Sequence, residues 1–289
     1  MTLRLITADE RLSESRRKTT VAIFGPSNIG KTRLALTLKR PTLFVEMEAG
    51  MASIEEDYRG GHIRPQTIED LAEIGCLMAG PDYTAKPDAF MSVAHYEAVI
   101  SKYGKSLDLS PYRVLFIDSI TVMSRWMALW AAARPESFTD KGVPNNFGKF
   151  NLIATEMIRF LTHFQRAPGL DVVFVGILEK RTDDFGRTTF DMQLEGGKTG
   201  RELPGIMDVV ITMDTFKLES AGVRHAPGEP LDEAGTNRIM FMCKALNPFS
   251  LPGKDRRKKL DLFEPPDLGA LLDKAAPIGQ KIVTLPTAS

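Results

Sequence analysis

Cysteine is scarce in this sequence. Two residues, Cys76 and Cys243, occur in 289, and they lie far apart. With four scattered histidines they form no zinc-ligand spacing. This pattern excludes a disulfide scaffold or a structural metal and points to a reducing compartment, with both thiols behaving as small apolar core residues. Long apolar runs are also missing. Nothing approaches the roughly 20 residues that cross a bilayer, and there is no signal-peptide pattern, so a cytoplasmic location without membrane contact is expected. Nor is there an excess of either charge. Lys plus Arg and Asp plus Glu both number 37, so the whole chain carries no electrostatic footprint of nucleic acid, although a local patch remains open. There is no internal repeat. What remains is an ordinary soluble composition, 43% hydrophobic and 26% charged, on a chain long enough to bury one large α/β core.

The most informative stretch is Gly25-Pro26-Ser27-Asn28-Ile29-Gly30-Lys31-Thr32, which fits the phosphate-loop pattern Gly-x4-Gly-Lys-Ser/Thr. An apolar run with strand character, Thr20-Val21-Ala22-Ile23-Phe24, precedes it. A helix-forming run with an apolar stripe, Arg33 to Lys39, follows. In that setting the backbone N–H groups of residues 25–33 face phosphates at a helix N-terminus. Lys31 reaches the β- and γ-phosphates, and the Thr32 hydroxyl takes a place on Mg²⁺. ATP and Mg²⁺ are the expected cofactors. The competing reading is a glycine turn in an ordinary βα unit.

Along the chain, strands are expected at Leu43–Glu46, Arg113–Asp118, Asp171–Leu178, Asp208–Met213 and Asn237–Cys243. Helices are expected at Glu69–Met78, Val93–Tyr103, Ile120–Ala133 and around Phe150–Leu161. Residues 134–148 read as an exposed loop, and Glu179–Leu194 as a hairpin around Asp183-Asp184-Phe185-Gly186. Alternating strands and helices imply a mostly parallel sheet covered on both faces. The expected organisation is an N-terminal arm (1–18), a core (19–250) with 50–110 as a helical insertion, and a basic then Pro-rich tail (251–289).

Hydrolysis needs acids besides the loop. Asp118 ends a buried apolar strand, which delivers its carboxylate to the sheet edge where ligands bind. It is the candidate Mg²⁺ acid, with capping of the next helix as its alternative role. Glu48, just past the second strand, is the candidate general base, and Glu46 is its rival.

These residues resemble RecA-type ATPases. Phe44-Val45-Glu46-Met47-Glu48-Ala49 is similar to their second-strand motif, whose second acid is the catalytic glutamate, here Glu48. Val114-Leu115-Phe116-Ile117-Asp118-Ser119 resembles their Walker-B strand, and Glu195 to Arg201 their Gly-Gly turn ahead of the final core strand. Lys254-Asp255-Arg256, followed by Glu264-Pro265-Pro266-Asp267-Leu268, is similar to phage-encoded RecA-like P-loop proteins, including single-strand annealing ATPases of the Sak class. The resemblance spans residues 19–270. It implies a RecA-like P-loop NTPase core with a hairpin-rich C-terminal part. It further implies Mg²⁺-dependent ATP hydrolysis in the host cytoplasm and a homo-oligomeric ring or filament. Lys198 and Arg201 would then be cations acting on a neighbour's nucleotide. The family's polar sensor residue is either Glu179 or missing, and the extra DNA-binding domains of full recombinases are missing, so annealing, binding or loading is expected over strand exchange.

Single-stranded DNA is the implied partner. Its candidate contacts are two segments. Residues 180–198 carry Lys180, Arg181, Phe185, Arg187 and Phe190, and residues 134–149 carry Arg134, Phe138, Lys141, Phe147 and Lys149. Arg256 and Arg257 lie in the densest positive run, Lys254–Lys259. The plain alternative for each is a solvated charged surface. Two other function classes stay open: a nucleotide-dependent switch or loader acting on a protein, and a small-molecule kinase, for which no arginine-rich lid is visible.

Overall fold

The computed structural model describes residues 18–276 apart from 105, 183, 187 and 234, together with residues 5, 7 and 9. The proposed N-terminal arm, the Pro-rich end and Arg187 therefore lie largely or wholly outside the described residues.

The sheet is built on β1 (Thr20–Gly25), β2 (Thr42–Glu46), β3 (Gly61–Ile63), β4 (Val114–Asp118), β5 (Asp171–Thr182) and β7 (Val209–Glu219). The spatial order β7-β1-β5-β4-β2-β3 is parallel throughout. Beyond β7 the pairing turns antiparallel, with β8 (Gly222–His225), β9 (Asn237–Met242), β10 (Lys254–Asp255) and β11 (Phe263–Glu264). β5 runs past the sheet and folds back through β6 (Thr188–Met192) as the expected hairpin. The fold is thus the α/β, mostly parallel architecture the sequence implies, with a hairpin-rich C-terminal part.

Strand side chains alternate between two cores, as period-2 geometry requires. Ala22, Phe24, Leu115, Ile117, Val172 and Phe174 face one. Val21, Ile23, Val114, Phe116, Val173 and Val175 face the other. The first face is covered by α1 (Ile68–Ala79), α2 (Val93–Tyr103), α3 (Ile120–Ala132), α4 (Asn146–Arg166) and α5 (Gly197–Ile206). Four of these begin at side-chain caps that satisfy orphan N–H groups: Thr67, Ser92, Ser119 and Asn145. The capping box of Thr67 with Asp70 fixes the start of α1.

The second face corrects two expectations. Residues 33–39 do not form a full helix. A 3-10 segment spans Thr32–Thr37, and Leu38 is already extended ahead of Pro41. The face this leaves open is filled by α6 (Leu268–Ala275), whose Leu268, Leu271 and Leu272 join the same core. The Leu268 amide donates to Thr37 Oγ1 at 2.9 Å, and Gly269 lies against the Thr37 carbonyl, where a Cβ would come within 2.3 Å. Residues 251–276 are therefore part of the core and not a free tail, because the apolar residues between the charges, Leu251, Leu260 and Leu268, are buried. Residues 50–110 are likewise more than a helical insertion: β3 within them closes one edge of the sheet.

Candidate active site

The phosphate loop lies where β1 leaves the sheet. Asn28 and Gly30 take positive φ, 62° and 98°, which lets the chain turn tightly back toward Thr32. Gly25 has no room for a side chain, since a Cβ would sit 2.3 Å from the Met213 carbonyl of β7. Ser27, Asn28, Gly30, Lys31, Thr32 and Arg33 line a cavity of ≈ 640 Å³. Gly25 and Pro26 contribute from behind it: their carbonyls accept hydrogen bonds from Lys31 Nζ at 3.0 and 2.7 Å. Ile29 packs toward the second core. Burial lowers the Lys31 pKa, opposed by the charges of Asp118, Glu48 and Asp214.

The parallel register of β2 with β4 sets Glu46 beside Asp118 at the carboxyl edge. The Thr32 hydroxyl donates to Asp118 Oδ2 at 2.7 Å, although the two residues are 86 apart in sequence. Glu48 lines the same cavity and accepts a short hydrogen bond from Ser119 Oγ, the hydroxyl that also caps α3. Glu46 faces away. It is 2% exposed and accepts from the Met51 amide, His62 and Arg64. Burial works against its charge, yet those hydrogen bonds hold its carboxyl below the ordinary glutamate value.

Sequence reasoning missed Gly50. A Cβ there would lie 3.0 Å from Asp118 Oδ2 and 3.1 Å from Thr32 Oγ1, so the turn after Glu48 presses directly on that pair. The glycine right after the acidic motif was the available signal. Gly176 and Ile177 of β5 line the far wall of the cavity. Glu179 lies further out in the hairpin, paired with Arg181 at 2.9 Å.

The donor set fits Mg²⁺. That ion keeps several waters and needs only one or two protein oxygens beside substrate phosphates, and Thr32 with Asp118 supplies one hydroxyl and one carboxylate. Among the described residues, no group of three His, Cys, Asp or Glu could hold a metal without such a substrate. Burial pushes Asp118 from 3.8 to about 6; the Thr32 hydrogen bond opposes this and the neighbouring Glu48 adds to it. Because this folded-state pKa is raised, the stability it contributes is present below the ordinary carboxylate value and is lost as pH rises through about 6. Protons and Mg²⁺ then compete for one oxygen pair. Mg²⁺ affinity in the presence of nucleotide is expected to fall as pH drops below about 6, and in a calorimetric titration an Asp118→Asn variant should fall less steeply, keeping only the slope of the nucleotide's own terminal phosphate.

The other candidate residues fall elsewhere. Lys198 and Arg201 sit at the start of α5, outside the lining of their own chain's phosphate cavity, and Lys198 lies 3.7 Å from Glu202. Lys180 is exposed on the hairpin, while Arg181 is shared between Glu179 and Asp191. Arg256 binds Asp208 and the Gly205 and Ile206 carbonyls at the end of α5, and Arg257 binds the Lys18 and Ala275 carbonyls. Both guanidinium groups thus meet carbonyls at helix C-termini within the fold. By contrast, the loop 134–149 and the start of α4 carry Phe138, Phe147 and Phe150 at 42%, 85% and 46% exposure. Lys149 lies over the Phe150 ring at 4.9 Å and Arg134 over Trp130 at 4.4 Å.

A glycine loop cradling a cavity, a lysine folded over it and a hydroxyl–carboxylate pair at the carboxyl edge of a parallel sheet define a P-loop nucleotide-binding protein. A family model described as an AAA domain matches residues 17–257, and the chain belongs to that family. Among solved structures it is similar to an ATPase from the type III secretion system of pathogenic bacteria, at 15% identity and TM-score 0.37, over 70% of this chain and 54% of that one. It is also similar to the P4 protein from bacteriophage phi6 in complex with ADP, at 15% identity and TM-score 0.29, over 74% and 59%. The chain thus spans little more than half the length of either. No curated protein matches it. No helix among the described residues is long and apolar enough to cross a membrane.

Proposed function

We propose that this AAA-family protein is a Mg²⁺-dependent ATPase that acts on single-stranded DNA in phage-type recombination or annealing, assembled as a ring or filament. The Thr32–Asp118 pair in the phosphate cavity carries the nucleotide part of this reading. Lys31 neutralises phosphate charge, and Thr32 with Asp118 would hold Mg²⁺, which when bound would stabilise negative charge developing on the phosphates. Glu48, oriented by Ser119, takes a proton from the attacking water. Lys198 and Arg201, remote from their own cavity, are suited to complete a neighbour's site and so make turnover depend on assembly.

The nucleic-acid part rests on aromatic rings alternating with cations at the start of α4. Bases stack on such rings while Lys149 and Arg134 meet phosphates. Joint replacement of Phe147 and Phe150 by alanine is expected to weaken binding of a labelled oligothymidylate about tenfold or more, since each stacked base contributes roughly 1–3 kcal/mol. Unchanged anisotropy curves would remove this surface from the account. A second reading, a nucleotide switch acting on a protein, is favoured by the engagement of Arg181, Arg256 and Arg257 within the fold, which leaves fewer cations for a polyanion.

A further inference from the structure

The chemistry proposed above gives the buried acid Glu46 no task. Glu46 is fully enclosed, yet it ends a strand whose neighbour in register is Asp118. Its two oxygens are divided. Oε1 accepts from the Met51 amide at 3.1 Å, and Oε2 accepts from Arg64 Nε at 2.7 Å and meets His62 Nε2 at 2.8 Å. The first bond ties down the short turn Ala49–Ser53, and the second anchors the acid to the edge strand β3 and the residue just after it. That turn begins at Glu48 and carries Gly50 against the Thr32–Asp118 pair. A carboxylate this deeply buried is costly unless it is paired and hydrogen-bonded; here the Met51 bond holds the turn, and the His62 and Arg64 bonds hold the acid that makes it.

We infer that Glu46 is a positioning residue. Braced by Arg64 and His62, it fixes the Glu48–Gly50 turn over Thr32 and Asp118 and so sets Mg²⁺ affinity and the placement of the base. Its role resembles that of partners behind metal ligands, whose removal costs about 10–100-fold in metal affinity. The inference rests on the nucleotide-site reading above. It also separates the two acids of the motif: Glu48 faces the cavity and Glu46 aims it.

Two readouts test it. In ligand-free protein, hydrogen exchange of the peptide covering residues 47–55 is expected to quicken in Glu46→Ala, with exchange in β4 and β5 unchanged. In binding of a fluorescent ADP analogue, half-saturating Mg²⁺ is expected to rise about tenfold in Glu46→Ala. Glu46→Gln, whose amide oxygen still accepts from Met51, is expected to recover most of that loss. Arg64→Met alters only an exposed partner and keeps the test valid if Glu46→Ala does not fold; it is expected to fall between the two. Wild-type exchange and wild-type Mg²⁺ dependence in both Glu46→Ala and Arg64→Met would overturn the inference while leaving the nucleotide site intact. A wild-type protein that binds the analogue with no Mg²⁺ dependence would overturn the site reading and this inference with it.

Discussion

Replacing Lys31 by alanine is expected to weaken nucleotide binding by roughly 10–100-fold, the loss of a charge-assisted contact of about 1.5–3 kcal/mol. Lys31 Nζ is held by two loop carbonyls at the mouth of the cavity, already desolvated and close to Asp118 and Glu48. Its removal takes away the loop's cation and leaves those two carboxylates without a counter-charge, so nucleotide phosphates would meet net repulsion. The fold should survive, because Lys31 belongs to neither hydrophobic core. Isothermal titration with ADP and ATP, alongside thermal melting of the free protein, checks both halves. A Kd within threefold of wild type would remove Lys31 from phosphate recognition.

The second large effect belongs to Glu48. Glu48→Gln keeps the size and the hydrogen bond with Ser119 but removes proton acceptance, so ATP should bind as before while turnover falls about 10²–10⁴-fold. The pattern sought is a lowered kcat with an unchanged nucleotide Kd. Glu46→Gln serves as the contrast, since Glu46 does not line the cavity. Full activity in Glu48→Gln would disprove the assignment of the base, whatever the Glu46 variants do.

The glycine loop after β1, the Asp118 strand and the mostly parallel character of the sheet were legible in the sequence because each depends on local pattern: an apolar run, a glycine loop, strands alternating with helices. The order of Glu46 and Glu48 was legible only as a pair. Which acid faces the cavity depends on where β2 ends, and on Arg64 and His62 reaching Glu46 from residues 16 and 18 positions away. The run after Lys31 has helix-forming residues, yet it is a short 3-10 segment, and α6, some 230 residues later, packs on the face it leaves open. No local propensity encodes that packing. The basic stretch 254–257 is misleading for a related reason. A charge run gives no hint that helix-end carbonyls at Gly205, Ile206 and Ala275 lie beside it. The edge strand β3 and the short strand β8 were missed because each is too brief to show a period.

The protein proposed here is an ATPase whose nucleotide cycle is read out on single-stranded DNA. Its most direct test is steady-state ATP hydrolysis with and without single-stranded DNA, at low and at moderate salt. The account predicts stimulation by DNA that fades as salt rises, because phosphate contacts weaken with counterion concentration. Hydrolysis unchanged by DNA at both salt levels, with no DNA binding in either, would contradict it and leave a nucleotide switch directed at a protein partner.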